Sequence, residues 1–369
     1  MSEIFDTAEL REAIRDVLTD RAGDSFDIPG EEGRGFDRDL WREMAALGWL
    51  GLAIPEEHGG LGLGLSHLAV LYEELGRQLA SVPALSTMIA ASLIAAHGDA
   101  AMQARWLPKI AAGEVVAAIS LPGDGNMAEA SPDGRINGVI DHMLFADVAT
   151  LLLVPVRDAA GMGLALLEPA TPGVSVEPRP LVDLTRSMGR VTLDNVAADP
   201  VMALLLDERD WDVLADHAAL GLACDAVGGA AVLLDMTVEY LKIREQFGRP
   251  IGSFQALKHR AADWKVKIEA TTALARHAAA LGEAGAADAS AVASAAKAYA
   301  CDIYAAFCGD AVQLHGGIGF TWEHPCHLFL KRAKLSQQLF GSSARHRDRA
   351  AYLRFEGAED TGALVAQKA

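Results

Sequence analysis

Residues 240–264, YLKIREQFGRPIGSFQALKHRAADW, mark the passage from one long helix to another. Upstream of the break, apolar residues recur at three- or four-residue steps, the spacing of one helix face. The segment GRPIGS interrupts this pattern with two glycines and a proline, which end helices. Helical spacing then runs to about residue 281 and, after the turn GEAGAAD, to about residue 314. The upstream apolar residues are Val232, Met236, Tyr240, Ile243 and Phe247.

The N-terminal part of the chain also has helical spacing. Within residues 6–112, Leu68, Leu71, Leu75 and Leu79 recur every three or four positions, which predicts one buried helix face. The loop GLAIPEEHGGLGLG separates the helices with a proline and paired glycines. We therefore predict an N-terminal helical domain over residues 1–114.

The pattern changes at about residue 115. Short segments bounded by Gly, Pro, Asp or Asn follow, among them GVSVEP and GRVTLDNV, in which apolar and polar residues alternate. A period of two is typical of half-buried antiparallel strands. The chain is thus predicted to be α+β and mostly α, with a central β domain at 115–207 and a C-terminal helical bundle at 208–369.

Composition and charge exclude several classes of protein. The 369-residue chain carries a net charge of −18, which argues against binding to nucleic acid or to an anionic membrane surface. No apolar run reaches the roughly 20 residues that span a bilayer, and the acidic N-terminus lacks the features of a secretory signal. The four cysteines form no CxxC pair, as expected of a reducing compartment. We therefore expect a cytoplasmic protein.

Potential metal ligands lie close together at His324, Cys326 and His327. Pro325 intervenes, and no fourth ligand has a suitable spacing. A packed turn is the better interpretation, and no metal site is predicted.

The stretch 240–264 resembles the acyl-CoA dehydrogenase family, and so does QLHGGIGFTWEHP at 313–325. The segments LGWLGLAIPEEHGGLGL, YEELGRQLASVP and RWLPKIAAGE are similar to the same family, so the resemblance covers nearly the whole chain. It implies an N-terminal helical domain, a central β domain and a C-terminal four-helix bundle that assembles dimers or tetramers. It also implies FAD-linked α,β-dehydrogenation of an acyl-CoA thioester in fatty acid or steroid β-oxidation, with electron-transfer flavoprotein as a partner.

The resemblance implies which residues bind FAD. Arg244 would contact the pyrophosphate of a neighbouring subunit's FAD, since a guanidinium donates two parallel charge-assisted hydrogen bonds to phosphate. Phe247 would pack on the dinucleotide and Gln255 would supply an amide. In the alternative structural interpretation, Arg244 pairs with Glu239 or Glu245.

Three further positions complete the implied FAD site. The backbone from Gln313 through Gly316 and Gly317 would approach the same dinucleotide, because glycines leave room for it. Alternatively, these glycines only cap a helix. Ser120 lies in the loop that, by resemblance, faces the subunit's own flavin.

The chain departs from the family where the catalytic base is expected. Aligned on the family pattern, KRAKLSQQLFGSS places Phe340 at the position of the glutamate, and Phe340 cannot abstract the α-proton of a thioester. The second position that the family uses for the base falls on Ala218. Asp216 and, after it, Asp225 are the nearest candidates for a relocated base, and His217 is a weaker one.

Two other departures concern the side of the site that would hold the chain's own flavin. Leu121 replaces an acidic residue, and Asn126 and Met127 end that segment differently from the family. The stretch after Asn137-Gly138 is shortened by several residues. There Ile140 stands near the position of a lysine, and His142 or Met143 stands near that of an aromatic residue. In the alternative interpretation this is a divergent hairpin with a packed methionine.

Four interpretations follow from this pattern. In the first, the chain is the partner subunit that completes an interfacial FAD site in a heteromer, similar to steroid side-chain acyl-CoA dehydrogenases, because the residues facing a neighbour's FAD are retained. In the second, it is a self-sufficient homo-oligomeric dehydrogenase with a relocated carboxylate. A flavin monooxygenase and a scaffold without flavin are the third and fourth.

Overall fold

The computed structural model describes residues 6–22, 35–122, 126–159, 161–197 and 203–355. Helices come first, strands follow and helices return, in the order that the sequence pattern predicts. Within the described residues, five α-helices precede the sheet, and the leucine row predicted on and just after the third of them is buried. These helices are α1 (Thr7–Ala22), α2 (Arg38–Ala46), α3 (Leu65–Arg77), α4 (Ala84–His97) and α5 (Ala100–Ala111).

In the part of the chain that the structure describes, eight strands form one sheet in the order β6-β7-β3-β2-β4-β5-β8, with β1 paired to β4. Along β7 the apolar residues Val191 and Leu193 are buried while Arg190 and Thr192 are not, so the predicted alternation is confirmed. The strands are β1 (Ala117–Ile119), β2 (Ala128–Ala130), β3 (Arg135–Leu144), β4 (Leu151–Arg157), β5 (Met162–Leu167), β6 (Val174–Pro178), β7 (Met188–Ala197) and β8 (Ala203–Leu205).

The sheet is mixed, whereas the sequence pattern predicts antiparallel strands. Strands β1 and β2 both pair with β4 in the parallel direction, and the other pairs are antiparallel. Parallel neighbours need a crossover connection, and here intervening strands supply it. The alternation of apolar and polar residues reports the side-chain face and not the direction of the neighbouring strand.

The C-terminal part is helical, with a two-stranded hairpin between its first two helices. A reciprocal cap begins α6: the Asp207 amide donates to Asp210 Oδ2 and the Asp210 amide donates to Asp207 Oδ1, each at 2.9 Å. The elements are α6 (Glu208–Ile243), β9 (Glu245–Gln246), β10 (Arg249–Pro250), α7 (Gln255–Glu283), α8 (Ala289–His315), a 3₁₀ segment (Gly316–Phe320), α9 (Cys326–Ser336) and α10 (Ser343–Phe355).

By length and composition alone, helix α6 is long and apolar enough to cross a membrane. The absence of a continuous apolar run in the sequence does not predict this. However, 89% of its most apolar window is buried within the protein, as in a core helix. The predicted apolar row on this helix is not its buried face. Leu233, Leu234 and Leu241 are buried instead, while Ile243 is exposed and Phe247 lies beyond the helix end.

The described residues form two compact units, and neither is continuous in sequence. One contains α1, α3 and residues 219–355; the other contains residues 35–64 and 81–218, and therefore the sheet. In the first unit, α3 and α6 approach closely, because a Cβ on Gly76 would lie 2.3 Å from the Asp225 carbonyl oxygen. The division into three domains at 114 and 207 stays a prediction.

Candidate cofactor site

The hairpin after α6 presents Arg244 and Phe247 to solvent. Gln246 and Arg249 pair across it, and the Ile251 amide donates to the Arg244 carbonyl at 2.8 Å. The two turn residues, Phe247 and Gly248, have φ values of +56° and +75°, the signs that a two-residue hairpin requires. Phe247 is 91% exposed, so the strained conformation is not compensated by burial of its ring.

Arg244 has no ion-pair partner among the described residues. Glu239, which the structural interpretation pairs with Arg244, instead accepts from Lys242 at 2.5 Å. Glu245 belongs to β9 and is exposed. An exposed guanidinium without a carboxylate partner has all its donors available for a phosphate. The pairing of Arg244 with Glu239 or Glu245 is therefore not found among the described residues, and its role in binding FAD stays a prediction.

At the end of α8, the backbone of Gly316 and Gly317 is exposed, and no other described residue packs against it. Gly316 closes the helix with φ +65°, and its amide donates to the carbonyls of Gln313 and Val312, so the predicted cap is present. A Cβ on Gly317 would meet no atom within 4 Å, and its backbone does not need glycine. Neither local packing nor conformation among the described residues explains this second glycine, and close approach of the dinucleotide to it stays a prediction.

Gln255 and Gln313 add two exposed amides to this unit. Gln255 is the first residue of α7, and Gln313 lies in the last turn of α8. A guanidinium, two amides and open glycine backbone form the set of donors that binds a pyrophosphate. The residues of this unit therefore fit the FAD that the resemblance implies.

Ser120 lies in the other unit, at the end of β1. It is buried, its amide donates to the Leu153 carbonyl at 3.2 Å, and its hydroxyl makes only a long contact of 3.4 Å with the Leu121 carbonyl. Asn126 Oδ1 accepts from the Asp141 amide at 3.1 Å. Its side chain therefore ties the loop to β3, and its role toward a cofactor stays a prediction.

The shortened stretch in β3 packs as the alternative interpretation expects. Ile140 and Met143 are fully buried, while His142 between them is exposed. A register irregularity between Ile140 and Met143 accounts for two buried residues three positions apart. Met143 is thus a core residue of the sheet.

Phe340 sits in a tight turn that buried polar groups hold in place. Its φ is +52°, and its carbonyl lies 3.0 Å from His346 Nε2. The fully buried Lys297 ammonium donates to the Gly341 carbonyl at 2.5 Å and to the Gln337 carbonyl at 3.1 Å. No carboxylate occurs from Leu335 to Arg347. The turn is therefore ordered and contains no proton acceptor of the kind that the reaction needs.

The two candidates for a relocated base differ in environment. Asp225 is 7% exposed and receives both Nε and Nη2 of Arg332, with Nε 3.1 Å from each oxygen. Arg332 also donates to the Ala80 carbonyl at 3.2 Å. This buried ion pair engages both carboxylate oxygens and weighs against Asp225 as a base. Asp216 is half-buried, and Ala218 is fully buried.

Aromatic rings, rather than metal ligands, surround His324. Its ring centroid is 4.3 Å from that of His315, which is 4.7 Å from that of Tyr240. The Cys326 amide donates to His324 Nδ1, and burial raises the pKa of the Cys326 thiol to about 12. Among the described residues, no group of three or more His, Cys, Asp or Glu side chains could hold a metal ion. The sequence pattern does not indicate the contact between Tyr240 and His315, because these residues are 75 positions apart.

Two family models match the sequence. The model of the acyl-CoA dehydrogenase N-terminal domain matches residues 6–114, and that of the C-terminal domain matches residues 214–352. The chain is similar to acyl-CoA dehydrogenase IpdE2 of Mycolicibacterium smegmatis, with 34% identity over 90% of this chain and 93% of the relative. It is also 35% identical to IpdE2 of Mycobacterium tuberculosis, over 90% of this chain and 92% of that protein.

Two solved structures are also similar to this chain. A variant of the Tcur3481–Tcur3483 steroid ACAD superposes with a TM-score of 0.86 at 34% identity, covering 96% of this chain and 99% of that one. The ChsE4–ChsE5 complex from Mycobacterium tuberculosis gives a TM-score of 0.85 at 26% identity, covering 96% of this chain and 98% of that one. Each of these two structures is named for a pair of proteins.

Proposed function

The chain belongs to the acyl-CoA dehydrogenase family of FAD-dependent oxidoreductases, and from this we infer that it is the partner subunit that completes an interfacial FAD site in a heteromer. The observation that carries the proposal is an asymmetry. The donors that would reach FAD from a neighbouring chain are exposed and free of ion-pair partners in the described residues, whereas Phe340 occupies the place expected for the base.

Each retained residue has a defined task in this proposal. Arg244 donates from two nitrogens to the pyrophosphate, and the amides of Gln255 and Gln313 donate to oxygens beside it. Gly317 leaves its backbone open to the dinucleotide. Phe247, at the hairpin tip, covers one face of the bound group with its ring. The chain's own contribution is thus binding and orientation.

The chemistry that FAD supplies is acceptance of the hydride from the β-carbon of the thioester. The proton on the α-carbon needs a base within about 3 Å. Because the segment from Leu335 to Arg347 contains no carboxylate, we assign this task to a glutamate of the catalytic chain. An electron-transfer flavoprotein as acceptor and a cytoplasmic location complete the proposal. The pairing of two named proteins in the ChsE4–ChsE5 complex and in the Tcur3481–Tcur3483 steroid ACAD supports a heteromer with a steroid-type acyl-CoA.

The first test is the visible absorption spectrum of the chain purified alone, before and after adding an acyl-CoA. We expect a colourless protein, because half of the FAD site would be absent. A yellow protein that bleaches with substrate would overturn the partner role.

The second test uses the complex with a catalytic acyl-CoA dehydrogenase chain. Arg244→Ala should empty the FAD site, measured as flavin released per complex, while Lys242→Ala should leave occupancy unchanged because Lys242 already pairs with Glu239. Full occupancy in the Arg244→Ala complex would contradict the role of Arg244.

The alternative, a self-sufficient dehydrogenase, requires a base on this chain. Asp216 is its better candidate, since Arg332 engages Asp225. It predicts that Asp216→Asn abolishes turnover while flavin stays bound. Unchanged turnover would remove Asp216, and a chain that binds no flavin alone would remove the alternative itself.

A further inference from the structure

Three aromatic rings from three separate segments contact one another, near in sequence to the residues proposed to bind the cofactor: one precedes Arg244 on α6, and one directly precedes Gly316. We call Tyr240, His315 and His324 the ring stack. The centroid of His315 lies 4.7 Å from that of Tyr240, with the rings inclined by 33°, and 4.3 Å from that of His324, inclined by 47°. These separations are those of rings in van der Waals contact. His315 is therefore the central member.

Each ring is joined to a different part of the site. Tyr240 lies one helical turn before Arg244, and its carbonyl accepts from the Arg244 amide at 2.9 Å. His315 is the last residue of α8 and precedes Gly316 directly. His324 follows the 3₁₀ segment, and its Nδ1 accepts from the Cys326 amide at 3.2 Å, at the start of α9. The ring stack thus links the end of α6, from which Arg244 projects, to the backbone of Gly316.

Hydrogen bonding fixes the orientation and the tautomer of the central ring. His315 Nδ1 lies 2.8 Å from the Ala311 carbonyl, which can only accept, so Nδ1 carries the hydrogen. Nε2 is buried and has no hydrogen-bond partner among the residues that the structure describes. The side chain is only 2% exposed, and burial lowers its pKa. His315 is a neutral, oriented ring at the junction of two elements.

The described groups that contact the His315 ring carry no charge. The rings that face it are the Tyr240 phenol from α6 and the His324 imidazole, and the Ala311 carbonyl comes from its own helix. Burial and the neighbouring imidazoles of His315 and His327 lower the pKa of His324 to about 4, so it too is neutral. The ring stack therefore acts by shape and not by charge.

We propose that His315 is a positioning residue of the cofactor site: through the ring stack it holds the end of α6, from which Arg244 projects, in register with the open backbone of Gly316 and Gly317. This inference rests on the proposed FAD-binding function. Backbone motion where α6 meets the hairpin would add to the entropy that is lost when FAD binds. The contact of the Tyr240 ring with His315 reduces that motion.

The test is titration of the flavin-stripped protein, in whichever assembly binds FAD, with FAD itself, following the flavin fluorescence. His315→Ala removes the ring, and we expect its dissociation constant for FAD to rise by about tenfold or more. His315→Phe keeps the ring and should restore affinity to within about threefold of the original. His277→Ala, at an exposed histidine of α7, is the matched control and should change nothing.

A double variant separates positioning from general damage. If His315 acts through Arg244, then, at FAD concentrations high enough to refill the Arg244→Ala site, adding His315→Ala should weaken FAD binding no further, since the interaction is already lost. Independent, additive losses would overturn the proposal, and so would equal affinity in His315→Ala or failure of His315→Phe to restore binding. Absence of FAD binding by the unaltered protein in any assembly would instead refute the proposed function.

Discussion

The backbone conformation of Phe247 is unfavourable for a phenylalanine. With φ at +56°, it occupies a left-handed position that asparagine or glycine adopts more easily. The exposed ring gains nothing from burial within its own chain. Such a residue is consistent with a surface that a ligand or another chain covers.

We therefore expect Phe247→Asn to raise the free energy of unfolding by about 0.5–1 kcal/mol, because the turn loses its strain. The same change should weaken FAD binding, since the ring is lost. Thermal unfolding and FAD titration measure the two effects. A variant that is more stable and binds FAD with unchanged affinity would show that Phe247 has no part in the site.

Gly317 permits a second single-residue test. A methyl group at this position meets no atom within 4 Å, so Gly317→Ala should change the free energy of unfolding by less than about 0.5 kcal/mol. FAD affinity should nevertheless fall by about tenfold, because the methyl group occupies the space of the dinucleotide.

Gly309 is the matched control for Gly317. It is also exposed with open space around it, but it lies within α8. Gly309→Ala should stabilise the helix by about 0.5–1 kcal/mol and leave FAD binding intact. Unchanged affinity in Gly317→Ala would show that the open backbone is not the binding surface.

At the scale of elements, a buried ion pair joins α6 to α9. Asp225 and Arg332 are 107 residues apart and both are buried, with Arg332 also bound to the Ala80 carbonyl. On the sequence alone, Asp225 is a candidate for a relocated base. In the structure, Asp225 and Arg332 are instead partners inside one unit.

Asp225→Asn should therefore act on stability. It leaves the Arg332 guanidinium buried without a counter-charge, which costs about 3–5 kcal/mol. Denaturant unfolding measures the loss, with the exposed Asp235→Asn on the same helix as control. If Asp225→Asn unfolds at the same denaturant concentration as the unaltered protein but loses turnover, Asp225 is catalytic after all.

At the scale of the whole molecule, buried neutral histidines make stability depend on pH. Burial lowers the pKa of His217 to about 4, and burial together with the Lys297 charge does the same to His346. The ordinary value is 6.5. Between these values the unfolded chain binds protons that the folded chain does not. The contribution of these two histidines to the free energy of unfolding is complete above pH 6.5 and is lost as the pH falls toward 4.

Each such histidine contributes roughly 2–3 kcal/mol across that window, from about 1.4 kcal/mol per pKa unit. His346→Gln keeps an amide donor for the Phe340 carbonyl but cannot titrate, so its free energy of unfolding should fall less between pH 6.5 and 4. His277→Gln, at an exposed position, should follow the unaltered protein. Parallel curves for all three proteins would contradict the assignment.

The sequence by itself determined the features that are local. Periods of two and of three to four residues placed the strands and the long helices, and GRPIGS ended α6 near its true boundary, because periodicity and helix-breaking residues act over a few positions. The motifs around Arg244 and Gly316 indicated the family, and the cap at Gly316 was predictable from the glycine itself.

Only the tertiary structure decided which distant residues meet. It placed Arg332 on Asp225 and the Tyr240 ring against that of His315, and it left the predicted apolar row of α6 half-buried or exposed. It also set β1 and β2 parallel to β4. Such pairings depend on packing between segments far apart in the chain, and a local pattern records that a residue is apolar or charged without recording its partner.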